Sequence, residues 1–345
     1  MEFLPVNSES LLHAAQVIKS GGIVAFPTET VYGLGANAYD SAAVVKIFEA
    51  KNRPFFDPLI IHIANVNTLN EAADLSALSE DSKLKLSILI KNFFPGPLSV
   101  VLPKNNKIPG IVTAGLSTAA FRFPANEAAQ KLISLSCGAV AAPSANPFGT
   151  LSPTRAEHVR DSLGGKIDII LDGGKSLVGV ESTVLDLTGN GAVILRHGGT
   201  PKEEIEKSIG AVGEFLGTED NAKDNPASPG QLKSHYAPKT QLSVFGREEI
   251  IRLPYKKDCA FLFFDESSHN VWRSSQDELI EIAAVKILSP AGNLQEAAAC
   301  LFETLHELDS FGFTQVYAQS VPQQGLGAAI NDRLKRMSYN LHEVV

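Results

Sequence analysis

The chain has 345 residues, of which 44% are hydrophobic and 20% are charged, and its formal net charge is −8. A chain of this length is long enough for two domains with their own cores. The negative charge argues against a protein that mainly coats nucleic acid, since affinity for the phosphate backbone needs a basic face. The cysteines at 137, 259 and 300 match no metal or redox spacing. Because no signal peptide or bilayer-spanning apolar run is visible, we expect a soluble cytoplasmic protein.

The first two hundred residues alternate helix-like and strand-like segments, which favours an α/β domain around one large twisted sheet. Residues 8–20 have an apolar stripe at helical spacing, and Gly21 ends this predicted helix. A second helix is predicted to begin at the N-cap Asp40 and to end before Pro54. Further helices are predicted over 81–94, 126–136 and 154–163. Short apolar or β-branched runs predict strands over 22–27, 59–64, 98–102, 118–123, 139–142, 167–171, 183–187 and 192–196.

The composition changes after the predicted sheet of the first domain. Residues 217–238 are polar and have no apolar period, which predicts a linker between domains. We therefore divide the chain into a first domain over 1–210, a linker over 211–238 and a second domain over 239–345. The second domain has predicted strands over 242–245, 260–264, 285–288 and 315–318, and predicted helices over 247–252, 276–284 and 294–311. This alternation favours a small α/β domain with a parallel sheet.

The chain lacks the usual motifs of covalent and phosphate-loop catalysis. It has no G-x-x-x-x-G-K-[ST] loop, no G-x-S-x-G elbow, and no His pair or Cys cluster with metal-ligand spacing. Residues 172–176 (DGGKS) lack the phosphate-loop spacing and are interpreted as a turn after a strand. Any chemistry therefore depends on polar residues elsewhere in the chain.

Polar side chains are found in turns rich in glycine or proline, where the predicted strands begin or end. Residues 27–35 (PTETVYGLG) either wrap a small polar ligand or form an ordinary turn with capping threonines. Lys51 and Arg53 follow a helix, where cations are either solvated or clamp a phosphate. Hydroxyl and amide groups that either cap the next segment or hold a ligand are found at Ser144, Asn146, Ser152 and Thr154.

Two predicted strands carry buried polar residues. His62 lies on the face of Ile60, where an imidazole must find a partner or face a cavity. Arg122 shares a face with the small Ala120, and an arginine in such a strand is costly unless it is paired or faces a polar cleft. Arginines are found in three of these stretches, at positions 53, 122 and 196. Seven such polar sites at the ends of strands in one domain predict a single concave pocket. The three arginines imply an anionic ligand, which in an acidic protein favours a phosphorylated small molecule over a polymer.

Several motifs resemble those of the YrdC-like family. They are, in chain order, FPTETVYGLGANA, KNRPFFDPLIIHI, FFPGPLSVVLP, TAGLSTAAFRFP, APSANPFGTLSPT, GVESTVLDL and ILRHGG. Two later motifs, SPGQLKSHYAP and GLGAAINDRLKRMS, resemble the family's long two-domain form, the threonylcarbamoyl-AMP synthases. The resemblance implies a YrdC-like α/β domain, with a twisted mixed sheet and a large concave cavity, followed by a smaller Rossmann-like α/β domain.

The resemblance also implies an activity. Such an enzyme is a nucleotidyltransferase that joins L-threonine, bicarbonate and ATP, with Mg²⁺ on the phosphates, into threonylcarbamoyl-AMP and pyrophosphate. A separate tRNA threonylcarbamoyl transferase complex would then modify the adenosine next to the anticodon. We expect no membrane partner and weak or absent direct binding of tRNA. Two alternatives stay open: an RNA-binding or ribosome-assembly module that uses the same cavity, and a different carbamoyl or adenylyl transfer on the same fold.

The family's motif positions imply site residues in this sequence. Those implied to contact threonine are Thr30, His62, Arg122, Ala142 and Ser182. Those implied to contact ATP are Arg53, Asp57, Thr118, Ser144, Ser152, Arg196 and Tyr236, the last on a linker that closes over the pocket. Lys51 and Asn146 lie beside the nucleotide, and the implied catalytic residues are Lys51, Arg53 and Arg122. Asp57 departs from the family motif, which commonly has Asn there, and a carboxylate repels phosphate unless a metal intervenes.

Overall fold

The computed structural model describes residues 1–215, 236–276 and 284–338. The chain forms two compact units. The first comprises Met1–Phe148, Ser152–Leu177 and Glu181–Leu232, and the second comprises Gly149–Leu151, Val178–Val180 and Lys233–Val345. The predicted linker over 211–238 lies mostly outside the described residues. No helix in the described ranges is long and apolar enough to cross a membrane.

The first unit is built on a mixed sheet. Its strands are β1 (Glu2–Pro5), β2 (Val24–Phe26), β3 (Gly33–Asn37), β4 (Ile60–Ile63), β5 (Leu98–Pro103), β6 (Thr118–Arg122), β7 (Ala139–Ala141), β8 (Ile169–Asp172), β9 (Thr183–Gly189), β10 (Gly191–Arg196) and β11 (Gly213–Glu214). Their order across the sheet is β1-β8-β2-β3-β7-β4-β6-β5-β9-β10-β11. Strand β6 runs parallel to β4 and antiparallel to β5. The predicted large mixed sheet is confirmed.

Seven helices of the described chain belong to this unit. They are α1 (Ser8–Lys19), α2 (Ser41–Lys51), α3 (Val66–Ala72), α4 (Glu80–Phe93), α5 (Glu127–Leu135), α6 (Ala156–Leu163) and α7 (Lys202–Ile209). The Asp40 carboxylate caps α2 by accepting hydrogen bonds from the first-turn amides, as predicted. Gly21 follows α1 at φ +80°, a conformation that only glycine adopts without strain.

The two faces of the sheet are covered differently. Helices α2 and α4 contribute to the larger apolar cluster on one face, whereas α1 and α5 cover the β8-β2-β3-β7 part of the other face. Further along this second face, the buried apolar cluster consists of strand residues, namely Ile60, Val101, Ala120, Val184 and Leu195. His62 and Arg122 project from this same face because they lie two residues from Ile60 and Ala120.

Strand β3 was not predicted, because its two glycines indicated a turn over 27–35. The strand pairs antiparallel with β2. A Cβ atom on Gly35 would lie 2.6 Å from Cγ1 of Val140 and 2.7 Å from Cε1 of Phe26. Glycine therefore allows side chains of neighbouring strands to pack directly on the β3 backbone.

The second unit has a parallel sheet with helices between its strands. The strands are β12 (Gln241–Phe245), β13 (Cys259–Phe263), β14 (Val285–Ile287) and β15 (Gln315–Gln319), in the order β12-β15-β13-β14. All three strand pairs are parallel, which confirms the prediction. The described helices are α8 (Arg247–Ile250), α9 (Glu266–Ser274), α10 (Leu294–Ser310) and α11 (Gly327–Met337). The helix predicted over 276–284 lies almost entirely outside the described residues.

Candidate active site

Three polar residues form a row across adjacent strands of the first sheet. Arg122 on β6 is in register with His62 on β4 and with Ser99 on β5. Residues directly opposite each other on paired strands project from the same face, so the three side chains are neighbours. All three residues are buried. The row is the polar part of a sheet face whose other side chains, such as those of Ile60 and Ala120, are apolar.

Arg122 is held by three neighbours. Its Nη2 lies 2.7 Å from Oε1 of Glu29, in the turn before β3. Its Nε donates to the carbonyl oxygen of Gly96 at 3.3 Å, and its Nη1 lies 3.4 Å from Nε2 of His62. A buried guanidinium is stable only when paired in this way. The predicted need of Arg122 for a partner is thus met, and the partner is Glu29, which the sequence analysis did not include among the site residues.

His62 is a neutral imidazole at physiological pH. Burial, followed by the nearby Arg122 charge, lowers the pKa of His62 to about 3. Because an Arg122 N–H only donates, Nε2 of His62 is the acceptor, and the ring proton is on Nδ1. The ring also lies edge-on to Phe26, with centroids 6.2 Å apart.

The turn between β2 and β3 fixes the hydroxyl of Thr30. The Thr28 hydroxyl donates to the carbonyl oxygen of Val31 at 2.6 Å, and it lies 2.8 Å from the Thr30 hydroxyl. Since the single proton of Thr28 is used, the Thr30 hydroxyl donates to Thr28 and keeps its own lone pairs for another partner. Both side chains are buried. The turn therefore presents an acceptor, as the ligand-wrapping interpretation requires.

Arg53 and Asp57 form a buried ion pair just after α2. Nη2 of Arg53 lies 2.8 Å from Oδ2 of Asp57 and also donates to the carbonyl oxygen of Pro58 at 2.8 Å. Burial raises the pKa of Asp57, while Arg53, Lys51 and Arg196 act in the opposite direction. Arg196, at the end of β10, is thus one of the cations whose charge acts on Asp57.

Lys51 connects α2 to the loop after β7. Its ammonium group donates to the carbonyl oxygen of Ser144 at 2.6 Å and to that of Asn146. Burial, with a further contribution from Arg53, holds the pKa of Lys51 well below its usual value. Two of its three N–H bonds are thus used to fix the loop, and one is left for a ligand. Its catalytic role stays a prediction.

Ser182 links Arg196 to the polar row. Nη2 of Arg196 donates to the carbonyl oxygen of Ser182 at 2.9 Å and to its hydroxyl at 3.2 Å. The Ser182 hydroxyl lies 2.8 Å from that of Ser99, which is in register with Arg122. Hydrogen bonds thus connect Arg196 to the strand position beside Arg122, and the meeting of all three arginines at one site stays a prediction.

Ser152 does not cap α6, so that interpretation was wrong. Its hydroxyl donates to Oε1 of Glu181 at 2.5 Å, and the N-cap position of α6 is Arg155, whose side chain makes no capping hydrogen bond. The buried Glu181 carboxylate lies directly before Ser182. An acidic residue just before the predicted strand over 183–187 was the sequence signal from which Glu181 could have been assigned to the site.

The remaining predicted residues lie in different places. Thr118 is the first residue of β6. Ala142 follows β7, and its N–H donates to the carbonyl oxygen of Ile60 at 2.9 Å. Tyr236 belongs to the second unit, where the Arg333 guanidinium lies 5.0 Å from its ring centroid. Its predicted contact with ATP stays a prediction. Within the described ranges, no three His, Cys, Asp or Glu side chains are placed to hold a metal ion.

Comparisons with known proteins identify the family of this chain. The family model for Sua5, YciO and YrdC proteins, described as "Telomere recombination", matches residues 16–198. The model described as "Threonylcarbamoyl-AMP synthase, C-terminal domain" matches residues 200–338. The chain is 42% identical to the threonylcarbamoyl-AMP synthase of Pyrococcus abyssi, covering 94% of this chain and 93% of the relative. It is 38% identical to that of Bacillus subtilis, covering 96% and 94%.

Solved structures give the same result. The crystal structure of Pyrococcus abyssi Sua5 complexed with L-threonine aligns with a TM-score of 0.85 at 40% identity, covering 98% of this chain and 97% of that one. Escherichia coli YciO, at 22% identity and a TM-score of 0.50, covers 57% of this chain and shares the fold. With both family models matched and relatives aligned over nearly their whole length, this chain belongs to the two-domain threonylcarbamoyl-AMP synthase family.

Proposed function

We propose that this protein makes threonylcarbamoyl-AMP from L-threonine, bicarbonate and ATP and releases pyrophosphate. The observation that carries the proposal is the burial of the three guanidinium groups of Arg53, Arg122 and Arg196 in one unit. Arg196 is bonded through Ser182 to Ser99, which is in register with Arg122, and both Arg53 and Arg196 act electrostatically on Asp57. Three buried arginines together with the buried Lys51 favour an anionic ligand. The relative crystallised with L-threonine supports an amino acid as one of the substrates.

Threonine is best accommodated at the polar row. Arg122 offers a planar fork of N–H donors suited to a carboxylate. The lone pairs of Thr30 and the protonated Nδ1 of His62 provide an acceptor and a donor for the hydroxyl-bearing side of the ligand. A site with such partners rejects analogues that lack the hydroxyl, because its own polar groups would then stay unpaired.

ATP is best accommodated beside Arg53 and Arg196. Their charges, with the third N–H of Lys51, would stabilise the triphosphate and the charge that develops when pyrophosphate leaves. Mg²⁺ would enter bound to the phosphates as part of the nucleotide substrate, and would shield their charge. Asp57 limits the positive charge of this region through its pair with Arg53.

The reaction needs positioning more than covalent chemistry. The amine of threonine attacks bicarbonate and releases water, which gives a carbamate. A carbamate oxygen then attacks the α-phosphorus of ATP, and the bond to pyrophosphate breaks. Holding reactants in line contributes up to about 7–11 kcal/mol to lowering such a barrier. The role of the residues described here is to bind, orient and neutralise charge.

We further propose that the product serves the threonylcarbamoyl modification of tRNA. A carbamate joined to AMP is an activated mixed anhydride, suited to passing its threonylcarbamoyl group to an amine. The net charge of −8 does not favour strong binding of tRNA by this chain. The acceptor reaction therefore belongs to a separate transferase.

Pyrophosphate release tests the proposal. We expect release only when threonine, bicarbonate and ATP are all present, and background release when any one is omitted in turn. Replacement of threonine by other amino acids distinguishes this activity from another carbamoyl or adenylyl transfer. Release that does not depend on threonine or on bicarbonate would contradict the proposal.

A further inference from the structure

Glu29 and Arg122 leave hydrogen-bonding capacity unused in a buried place. Their side chains are 11% and 4% exposed, and Oε1 lies 2.7 Å from Nη2. This contact is an ion pair. Among the described residues, no group donates a hydrogen bond to either oxygen of Glu29, and none accepts one from Nη2 of Arg122.

Such an arrangement is costly for a folded protein on its own. A buried carboxylate is stable when it accepts several hydrogen bonds, and each missing one costs free energy. Arg122 also has hydrogen-bond partners of its own in the carbonyl oxygen of Gly96 and in His62. Unused donors and acceptors that are buried side by side indicate a ligand that supplies the complementary groups.

The spacing of the two charges identifies the ligand's chemistry. An α-amino acid carries its carboxylate and its ammonium on the same carbon. A site for such a zwitterion therefore needs a cation and an anion in contact, as Arg122 and Glu29 are. A hydroxy acid or a simple carboxylate would satisfy Arg122 but would bring no positive charge to the Glu29 carboxylate.

We propose that Glu29 is a specificity-determining residue that binds the ammonium group of the amino-acid substrate, while Arg122 binds its carboxylate. This inference rests on the proposed function for the presence of threonine at the site. It adds a residue outside the predicted set, and it explains selection of amino acids over hydroxy acids. The neutral His62 contributes to the same selection, because it adds no second cation that would repel the ammonium.

Calorimetric titration tests the assignment without relying on turnover. The ligands are L-threonine and 2,3-dihydroxybutanoate, in which a hydroxyl replaces the amino group. We expect the unmodified chain to bind threonine at least tenfold more tightly. Glu29→Gln should lose at least tenfold in threonine affinity and change dihydroxybutanoate affinity by less than threefold. Glu29→Asp keeps the charge and should keep most of the preference.

Glu80→Gln is the matched control, because Glu80 is an exposed glutamate of the same unit, and it should bind both ligands normally. Equal losses for both ligands in Glu29→Gln, or an unmodified chain without preference for threonine, would overturn the inference. The comparison of the two ligands on the unmodified chain does not depend on the folding of any variant. Pyrophosphate release by the unmodified chain is measured in parallel. Its absence together with a clear preference for threonine would count against the proposed reaction and not against Glu29.

Discussion

Nη2 of Arg53 lies 2.8 Å from Oδ2 of Asp57, and both side chains are almost fully buried. The carboxylate that departs from the family motif is therefore the partner of an arginine implied to bind ATP. Its negative charge also lies within the influence of Lys51 and Arg196. We infer that Asp57 reduces the attraction of this region for phosphate while it fixes the Arg53 fork.

Asp57→Asn should therefore tighten ATP binding. The amide keeps an oxygen for Arg53, removes one negative charge and gains a donor for phosphate. We expect KM for ATP to fall about threefold to tenfold, with KM for threonine unchanged, in steady-state pyrophosphate assays. A rise in KM for ATP would show that the carboxylate charge itself serves the nucleotide. Asp57→Ala, which removes the carboxylate beside the buried Arg53, should lower the free energy of unfolding by about 3–5 kcal/mol.

Arg122→Lys should abolish threonine-dependent turnover. A lysine keeps the positive charge but lacks the planar fork for a carboxylate. We expect kcat/KM for threonine to fall at least a hundredfold, while ATP affinity stays within threefold. Arg160→Lys is the matched control because Arg160 is half-exposed in the same unit, and it should keep full activity. Normal turnover by Arg122→Lys would place the carboxylate elsewhere.

The fold was largely predictable, and so were the site's cations. Local signals such as the Asp40 cap and the Gly21 stop were sufficient for helices, and apolar runs predicted most strands. Strand β3 was missed because its glycines were interpreted as turn residues. Glycine is required at position 35 because Phe26 and Val140, on neighbouring strands, leave no room for a Cβ atom. No local pattern contains that contact.

Pairing within the site depends in the same way on contacts between distant residues. The period of β6 predicted that Arg122 needs a partner, but not that the partner is Glu29, because 93 positions in the chain separate them. Likewise, the capping alternative for Ser152 was wrong, since the position of Glu181 opposite its hydroxyl follows from the sheet and not from the local sequence.

Gly35→Ala tests this explanation of β3. Its new Cβ would lie 2.6 Å from Cγ1 of Val140, an overlap that should cost about 1–3 kcal/mol of unfolding free energy. Gly110→Ala is the control because a Cβ there meets nothing within 4 Å, and it should change stability by less than about 0.5 kcal/mol. Urea denaturation measures both. Equal effects would mean that the glycine in β3 is not required by packing.

The pKa of His62 predicts a pH dependence of stability. This pKa is lowered from its ordinary 6.5 to about 3 in the folded chain. Below pH 6.5 the unfolded chain takes up a proton that the folded chain does not, so stability is lost as the pH falls towards 3. The contribution of His62 is about 1.4 kcal/mol per pH unit in this window.

The difference between the unmodified chain and His62→Gln isolates this contribution, because all other groups are common to both. Urea unfolding between pH 4 and 6.5 should therefore give a shallower slope for the variant. Parallel slopes would show that His62 takes up its proton in the folded chain as readily as in the unfolded one.

The central claim is that the buried arginines hold threonine and ATP together at one site, where bicarbonate carbon joins them. Incubation with L-threonine, ATP and ¹³C-bicarbonate, followed by rapid mass spectrometry of the products, tests it most directly. We predict an adenylate whose mass equals threonylcarbamoyl-AMP with one ¹³C atom, and its loss in Arg122→Lys. An adenylate of threonine without the label, or no threonine-dependent adenylate, would contradict the claim.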